Sequence, residues 1–193
     1  KGHIFPVTVS DVRLSAELDD GSVVHGETNI SKVGTRIRRL YLDPESCPPL
    51  PDALGAIREA DIITIGPGSL FTSFLPPLLV SGISEAIAAS PAVKVIIGNL
   101  MTQPGETEGF SSVRHIETLR EYAPGIVPDL VLMNNQPITP GQAAQQRRRA
   151  DPPDVLAEEQ GRLPADPRRG PGDDDGFGSG FVHAASLRQR SAA

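Results

Sequence analysis

The chain has 193 residues, a formal net charge of -6 and a sequence pI near 5.2, a length that suits one domain with a core of its own. The acidic balance offers no basic field to hold a nucleic acid or an anionic membrane surface. A single cysteine, Cys47, excludes intrachain disulfides and thiolate zinc clusters.

No apolar run reaches the roughly 18 residues of a membrane span, and the opening KGHIFPVTVS lacks the pattern of a signal peptide. The expectation is a cytoplasmic protein without nucleic-acid or membrane partners. Cys47 lies in the loop Ser46-Cys47-Pro48-Pro49 and reads as a small, half-buried hydrophobe.

In chain order, Val12 to Glu17 and Val23 to Ile30 alternate apolar and polar positions on either side of Asp19-Asp20-Gly21, which predicts a β-hairpin. A third strand is expected at Ile37 to Leu42. The proline-rich loop Asp43 to Pro51 follows, and Asp52 is placed to cap a short helix running to Arg58.

From Asp61 the rhythm becomes strand, turn, helix. Ile62 to Ile65 predicts a strand, Pro76 to Ala89 a helix, Val93 to Ile97 a strand, Phe110 to Tyr122 a second helix and Leu130 to Met133 a last strand. Such alternation implies parallel pairing with right-handed crossovers, so the fold class is α/β. The expected form is a partial Rossmann-like, doubly wound, mainly parallel sheet preceded by a β-hairpin region. Residues 1–140 make this domain. Residues 141–193 balance 8 basic against 8 acidic residues, hold 5 Pro and 7 Gly, and scatter their large apolar residues without period. A segment of that composition predicts a disordered tail.

Ligands of open parallel sheets lie beyond the carboxyl ends of the strands. Two turns should therefore meet there. The first reads Gly66-Pro67-Gly68-Ser69, with Leu70, Phe71, Thr72 and Ser73 following. Its glycines permit close backbone approach, its proline stiffens the turn, and Ser69, Thr72 and Ser73 supply hydroxyls near a helix start, a composition suited to a phosphate or to a plain capped turn. The second turn carries Asn99, Thr102, Gln103, Gly105, Glu106 and Thr107. Amides, hydroxyls and a carboxylate suit hydrogen bonding to sugar hydroxyls or a base edge, and Glu106 could equally cap the next helix. His115, beside Ile116 and Leu119, reads as a surface or packing residue. Asp61 precedes its strand, at the wrong end for the crevice. No metal-ligating constellation stands out, and no catalytic residue is identified.

The stretches ADIITIGPGSLFTSFLPPLLVSGISEAI and KVIIGNLMTQPGETEGFSSVRHI, with the earlier VRLSAELDDGSVVHGETNI, resemble the YvcK-type gluconeogenesis factors, the bacterial branch of the CofD-like (UPF0052) superfamily. The similarity covers about Gly2 to Pro140. It implies a Rossmann-like protein that binds a UDP-activated amino sugar, with no other cofactor, supports growth on gluconeogenic carbon sources and helps set cell shape. Residues Gly66, Pro67, Gly68, Ser69, Thr72, Ser73, Asn99, Thr102, Gln103 and Glu106 would line the ligand. Phe110 is similar to a family aromatic, often Tyr, that stacks on it. Family members also open with a Gly-rich loop that cradles the diphosphate. None occurs here, so the expectation is the C-terminal portion of such a domain, incomplete at its N-terminus and with an apolar sheet edge able to pair in a homo-oligomer.

The other branch of the superfamily is similar to 2-phospholactate transferases acting on a guanosine diphosphate donor. Its turn usually runs G-P-S-N, so GPGS favours the regulator over the enzyme. A scaffold without ligand is the third alternative.

Overall fold

The computed structural model describes residues 2–100, 102–103, 106–134, 139, 141 and, as backbone, 182–185. Two sheets share one continuous core. The first is antiparallel, in the order β2-β1-β3, from β1 (Arg13–Leu18), β2 (Val23–His25) and β3 (Ile37–Asp43). The second follows the order β6-β5-β4-β7, from β4 (Ile62–Ile65), β5 (Val93–Ile97), β6 (Leu130–Leu132) and β7 (Val182–Ala185). In it β4, β5 and β6 run parallel, with Ile65 opposite Ile96 and Ile97 opposite Leu132. The fold is α/β with the mainly parallel sheet that alternating strands and helices required.

The predicted strand Val23 to Ile30 stops early. At Gly26 the chain leaves the sheet, and Glu27–Ile30 forms the short helix α1, whose Ile30 is fully buried. Val23, Val24 and His25 face Glu17, Ala16 and Ser15, the Gly26 N–H still bonds the Leu14 carbonyl in the same register, and the chain turns out of the sheet at Gly26, whose φ is +84. Helix α2 (Pro51–Glu59) starts with Pro51 after Leu50, so Asp52 lies in the first turn and does not cap it. A proline is favoured at that first position because its missing N–H would have no partner there.

The predicted helix Pro76 to Ala89 is two helices preceded by a π-helical turn. That turn spans Leu70–Phe74 and runs into α3 (Leu75–Leu79), and the chain then breaks before α4 (Ile83–Ala89). Gly82, at φ +80, makes the break, a conformation that ordinary side chains disfavour. Helix α5 (Ser112–Tyr122) starts two residues later than predicted because Ser111 caps it, its hydroxyl accepting the Arg114 N–H at 3.1 Å. Among the described residues no single helix is long and apolar enough to cross a membrane.

Helix α3 packs against both β3 and α5, between the two sheets. Leu40 and Leu42 of one sheet, Ile63, Ile65 and Ile96 of the other and Leu70, Leu75 and Leu78 between them are all buried in the same core. Tyr122 crosses this layer, its hydroxyl accepting the Leu40 N–H at 2.8 Å. Since β3 is an edge strand, that N–H would otherwise lack a ladder partner. Burial pushes the Tyr122 phenol above its ordinary range. Cys47 is 1% exposed and belongs to the core, more deeply than the half-buried position expected of it.

The expected disordered tail, residues 141–193, lies outside the described residues except for 141 and Val182–Ala185. Those four pair antiparallel with β4, Ile62 opposite Ala185 and Ile65 opposite Val182. They occupy the edge of the sheet where the sequence predicts a free one. The other edge, β6, leaves Leu130, Val131 and Leu132 exposed.

Candidate functional site

Because β4 and β5 are parallel neighbours in register, their carboxyl ends deliver the two turns side by side. Close approach then depends on Gly66. Its φ is +90, and a Cβ there would fall on the Phe74 ring and within 2.6 Å of the Ile97 carbonyl oxygen. Only glycine lets β4 enter its turn this close to β5.

Polar side chains stitch the turns together. The Asn99 carboxamide accepts from the Gly68 N–H at 3.1 Å and donates to the Gly68 carbonyl at 2.6 Å. A side-chain amide thereby copies one step of a β-ladder between the two turns. Ser69 donates its hydroxyl to one oxygen of the Glu106 carboxylate, and the Thr72 hydroxyl lies 3.4 Å from the other. Thr72 also donates through its hydroxyl to the Ser69 oxygen at 2.7 Å, and its N–H points to the same oxygen at 3.3 Å. Ser69 is therefore the side-chain cap of the π-helical turn as well as the partner of Glu106. Ser69 is 8% and Thr72 is 3% exposed, so these bonds form largely away from water.

The turn Glu106–Gly109 is built around Thr107, which is fully buried. Its hydroxyl accepts from the Gln103 N–H at 2.9 Å and its own N–H donates to the Gln103 carbonyl at 2.9 Å. Glu106 does not cap α5, because Ser111 does. Phe110 is half-buried, edge-on to Phe71 at 6.4 Å and to His115 at 5.5 Å, with the Arg114 guanidinium 5.7 Å from its centroid. The Nδ1 of His115 lies 2.9 Å from the Ser111 carbonyl, which can only accept, so that nitrogen carries the proton and the ring packs on its own helix.

The predicted set thus divides. Gly68, Ser69, Thr72, Asn99, Gln103 and Glu106 come together, bonded to one another across the two turns. Gly66 is the point of close approach, Pro67 is exposed beside it, Ser73 is half-buried, and Thr102 is exposed. Phe110 belongs to the aromatic cluster at the start of α5.

One residue escaped sequence reasoning. Burial, and next the charge of Glu106, raise the Glu27 carboxyl above its ordinary range. Glu27 is carried on α1, which packs on β1 and β2 of the first sheet. Its only signal in the sequence was membership of the stretch Gly26-Glu27-Thr28-Asn29-Ile30. The cavity bordered by Gly68, Gly98, Asn99, His115 and Met133 measures only 10 Å³, about enough for one water. Among the described residues no cluster of three or more His, Cys, Asp or Glu is arranged to hold a metal ion.

Residues 1–164 match the family model for 2-phospho-L-lactate transferase CofD. The chain is 46% identical over 138 residues to the gluconeogenesis factor of Bacillus subtilis (strain 168), covering 72% of this chain and 44% of that protein. It is 50% identical over 119 residues to a putative gluconeogenesis factor of Nostoc sp. (strain PCC 7120), covering 62% and 26%. A crystal structure of a UPF0052-family protein from Bacillus halodurans superposes with a TM-score of 0.68 at 42% identity, covering 74% of this chain and 47% of that one. The chain spans less than half the length of these relatives. With a match across most of its residues and the same fold in a solved relative, the chain belongs to the CofD family, in company with proteins named gluconeogenesis factors.

Proposed function

We propose that the chain is part of a cytoplasmic, nucleotide-sugar-binding regulator of the gluconeogenesis-factor type, with a ligand similar to UDP-N-acetylglucosamine and a role in cell shape and in growth on gluconeogenic carbon sources. The observation that carries this reading is the pairing of two hydrogen-bonding turns at the carboxyl ends of adjacent parallel strands, joined through Gly68 and Asn99. Electrostatics orients the ligand. The Glu106 carboxylate disfavours an anion beside it, so the diphosphate lies toward Gly66, Pro67 and the N–H groups that open the π-helical turn. The sugar or ribose hydroxyls lie toward Gln103, Thr102 and Glu106, where carboxylate and amide oxygens accept them.

Calorimetric titration of UDP-N-acetylglucosamine into this chain, and into the whole Bacillus subtilis relative, tests the reading. Saturable binding that weakens on Asn99→Ala supports it. Absence of binding to both overturns it.

A second reading is a 2-phospholactate transferase of deazaflavin cofactor biosynthesis. It draws on the description of the family model and on the Ser69 hydroxyl held against the Glu106 carboxylate. Release of GMP from a guanosine diphosphate donor would favour it over the regulator.

A further inference from the structure

The hydroxyl protons beside Glu106 are few enough to follow one by one. Ser69 has one, and it goes to one oxygen of the Glu106 carboxylate. The 2.7 Å bond between Thr72 and Ser69 therefore takes the Thr72 proton, since Ser69 has none left to give. Thr72 lies 3.4 Å from the second carboxylate oxygen, but with its proton spent it meets that oxygen only with lone pairs. The amide hydrogens of Asn99 are committed as well, to the Gly68 carbonyl at 2.6 Å and toward the Gln103 side-chain oxygen at 3.5 Å. The second oxygen of Glu106 thus faces the crevice as an acceptor. Ser69 and Thr72 are buried whereas Glu106 is half-buried, so a ligand arriving from solvent meets the carboxylate first.

No cation offsets it. The ion pairs among the described residues join Glu17 to Arg38, Glu45 to Arg39, and Glu117 and Glu121 to Arg114, and none includes Glu106. The segment Leu70–Leu79 carries no charged residue, nor do Asn99, Thr102 and Gln103, and Glu108 adds a second negative charge to the same turn.

We propose that Glu106 selects among nucleotide sugars by the charge of the sugar, taking a ring that carries only hydroxyl or amide groups and rejecting one that carries a carboxylate. The inference rests on the nucleotide-sugar reading and specifies which sugars satisfy it. A sugar hydroxyl donates to the open carboxylate oxygen. A sugar carboxylate brings further acceptors and a like charge to a place that has no proton to offer either. The hydroxyls and the carboxylate of a uronic acid share one ring. Any pose that brings that ring to Glu106 therefore keeps the two charges within about 8 Å, the screening length at physiological salt.

UDP-glucose and UDP-glucuronate test this, because they differ only in the last carbon of the hexose, a hydroxymethyl against a carboxylate. Their diphosphates are the same, so the ratio of affinities isolates the sugar charge. Calorimetric titration of each into the full chain at low salt should favour UDP-glucose by about tenfold or more. Glu106→Gln keeps an oxygen for the Ser69 proton and removes the charge, and its ratio should fall to within about twofold. Equal affinities in the wild type overturn the proposal, as does an unchanged ratio in Glu106→Gln. The wild type alone supplies a check that does not depend on the variant folding: added salt should shrink the preference by screening, and a ratio independent of salt overturns the proposal too. Equal binding of the two sugars strikes the selection and leaves the nucleotide-sugar reading standing. Binding of neither, nor of UDP-N-acetylglucosamine, strikes both.

Discussion

Replacing Gly66 by alanine tests how the two turns meet. Two costs add. The backbone at φ +90 is one that an L side chain resists, at about 1–2 kcal/mol. The new Cβ also lands on the Phe74 ring and within 2.6 Å of the Ile97 carbonyl oxygen. Phe74 is buried beside a packed helix, and Ile97 is backbone at the end of β5, so neither yields freely. Overpacking of that kind costs about 1–3 kcal/mol. The sum is roughly 3 kcal/mol, which for a chain of this size lowers Tm by about 10 °C.

Gly82→Ala is the matched control. Its φ is +80, but nothing lies within 4 Å of the Cβ it would gain. It bears the backbone cost alone, about 1–2 kcal/mol. Thermal unfolding followed by circular dichroism separates the two: Gly66→Ala should fall below Gly82→Ala by about 5 °C or more. Equal losses would refute the claim that close approach of β4's turn to β5 requires a glycine there.

Other consequences follow from single contacts. Asn99→Ala removes both bonds to Gly68 and should cost about 1–3 kcal/mol in chemical denaturation, with faster amide exchange at Gly68. Tyr122→Phe leaves the Leu40 N–H without its partner and should cost about 1–3 kcal/mol; unchanged stability would show that water replaces the phenol. Because the folded state raises the Glu27 carboxyl above its ordinary 4.5, the folded chain holds that proton where the unfolded chain has lost it. Stability contributed by this group is present below 4.5 and declines as pH rises through the folded value. Glu27→Gln should remove that decline, so the Tm difference between variant and wild type grows from acid to neutral pH.

The parallel part of the fold was legible because its signals are local. Ile62 to Ile65 and Val93 to Ile97 are short apolar runs ending in turn residues, and both strands form with the predicted limits. Their alternation with helices implied parallel pairing, and parallel pairing put GPGS beside the turn of Asn99. Helix limits were less legible. Gly82 divides a continuous apolar pattern, and Ser111 rather than a residue of the preceding turn caps α5, since a backbone conformation or one side-chain bond decides such boundaries.

Residue type and spacing were enough to nominate Ser69, Thr72, Asn99 and Glu106, because hydroxyls, amides and carboxylates after buried strands have few apolar roles. They could not say that these groups bond to one another. The pairing of Ser69 with Glu106 joins residues far apart along the chain, and it exists only once β4 and β5 lie side by side. Burial and side-chain pairing are properties of that packing, so the closing of the two turns onto one another through Asn99 and Glu106 was decided by the tertiary structure alone.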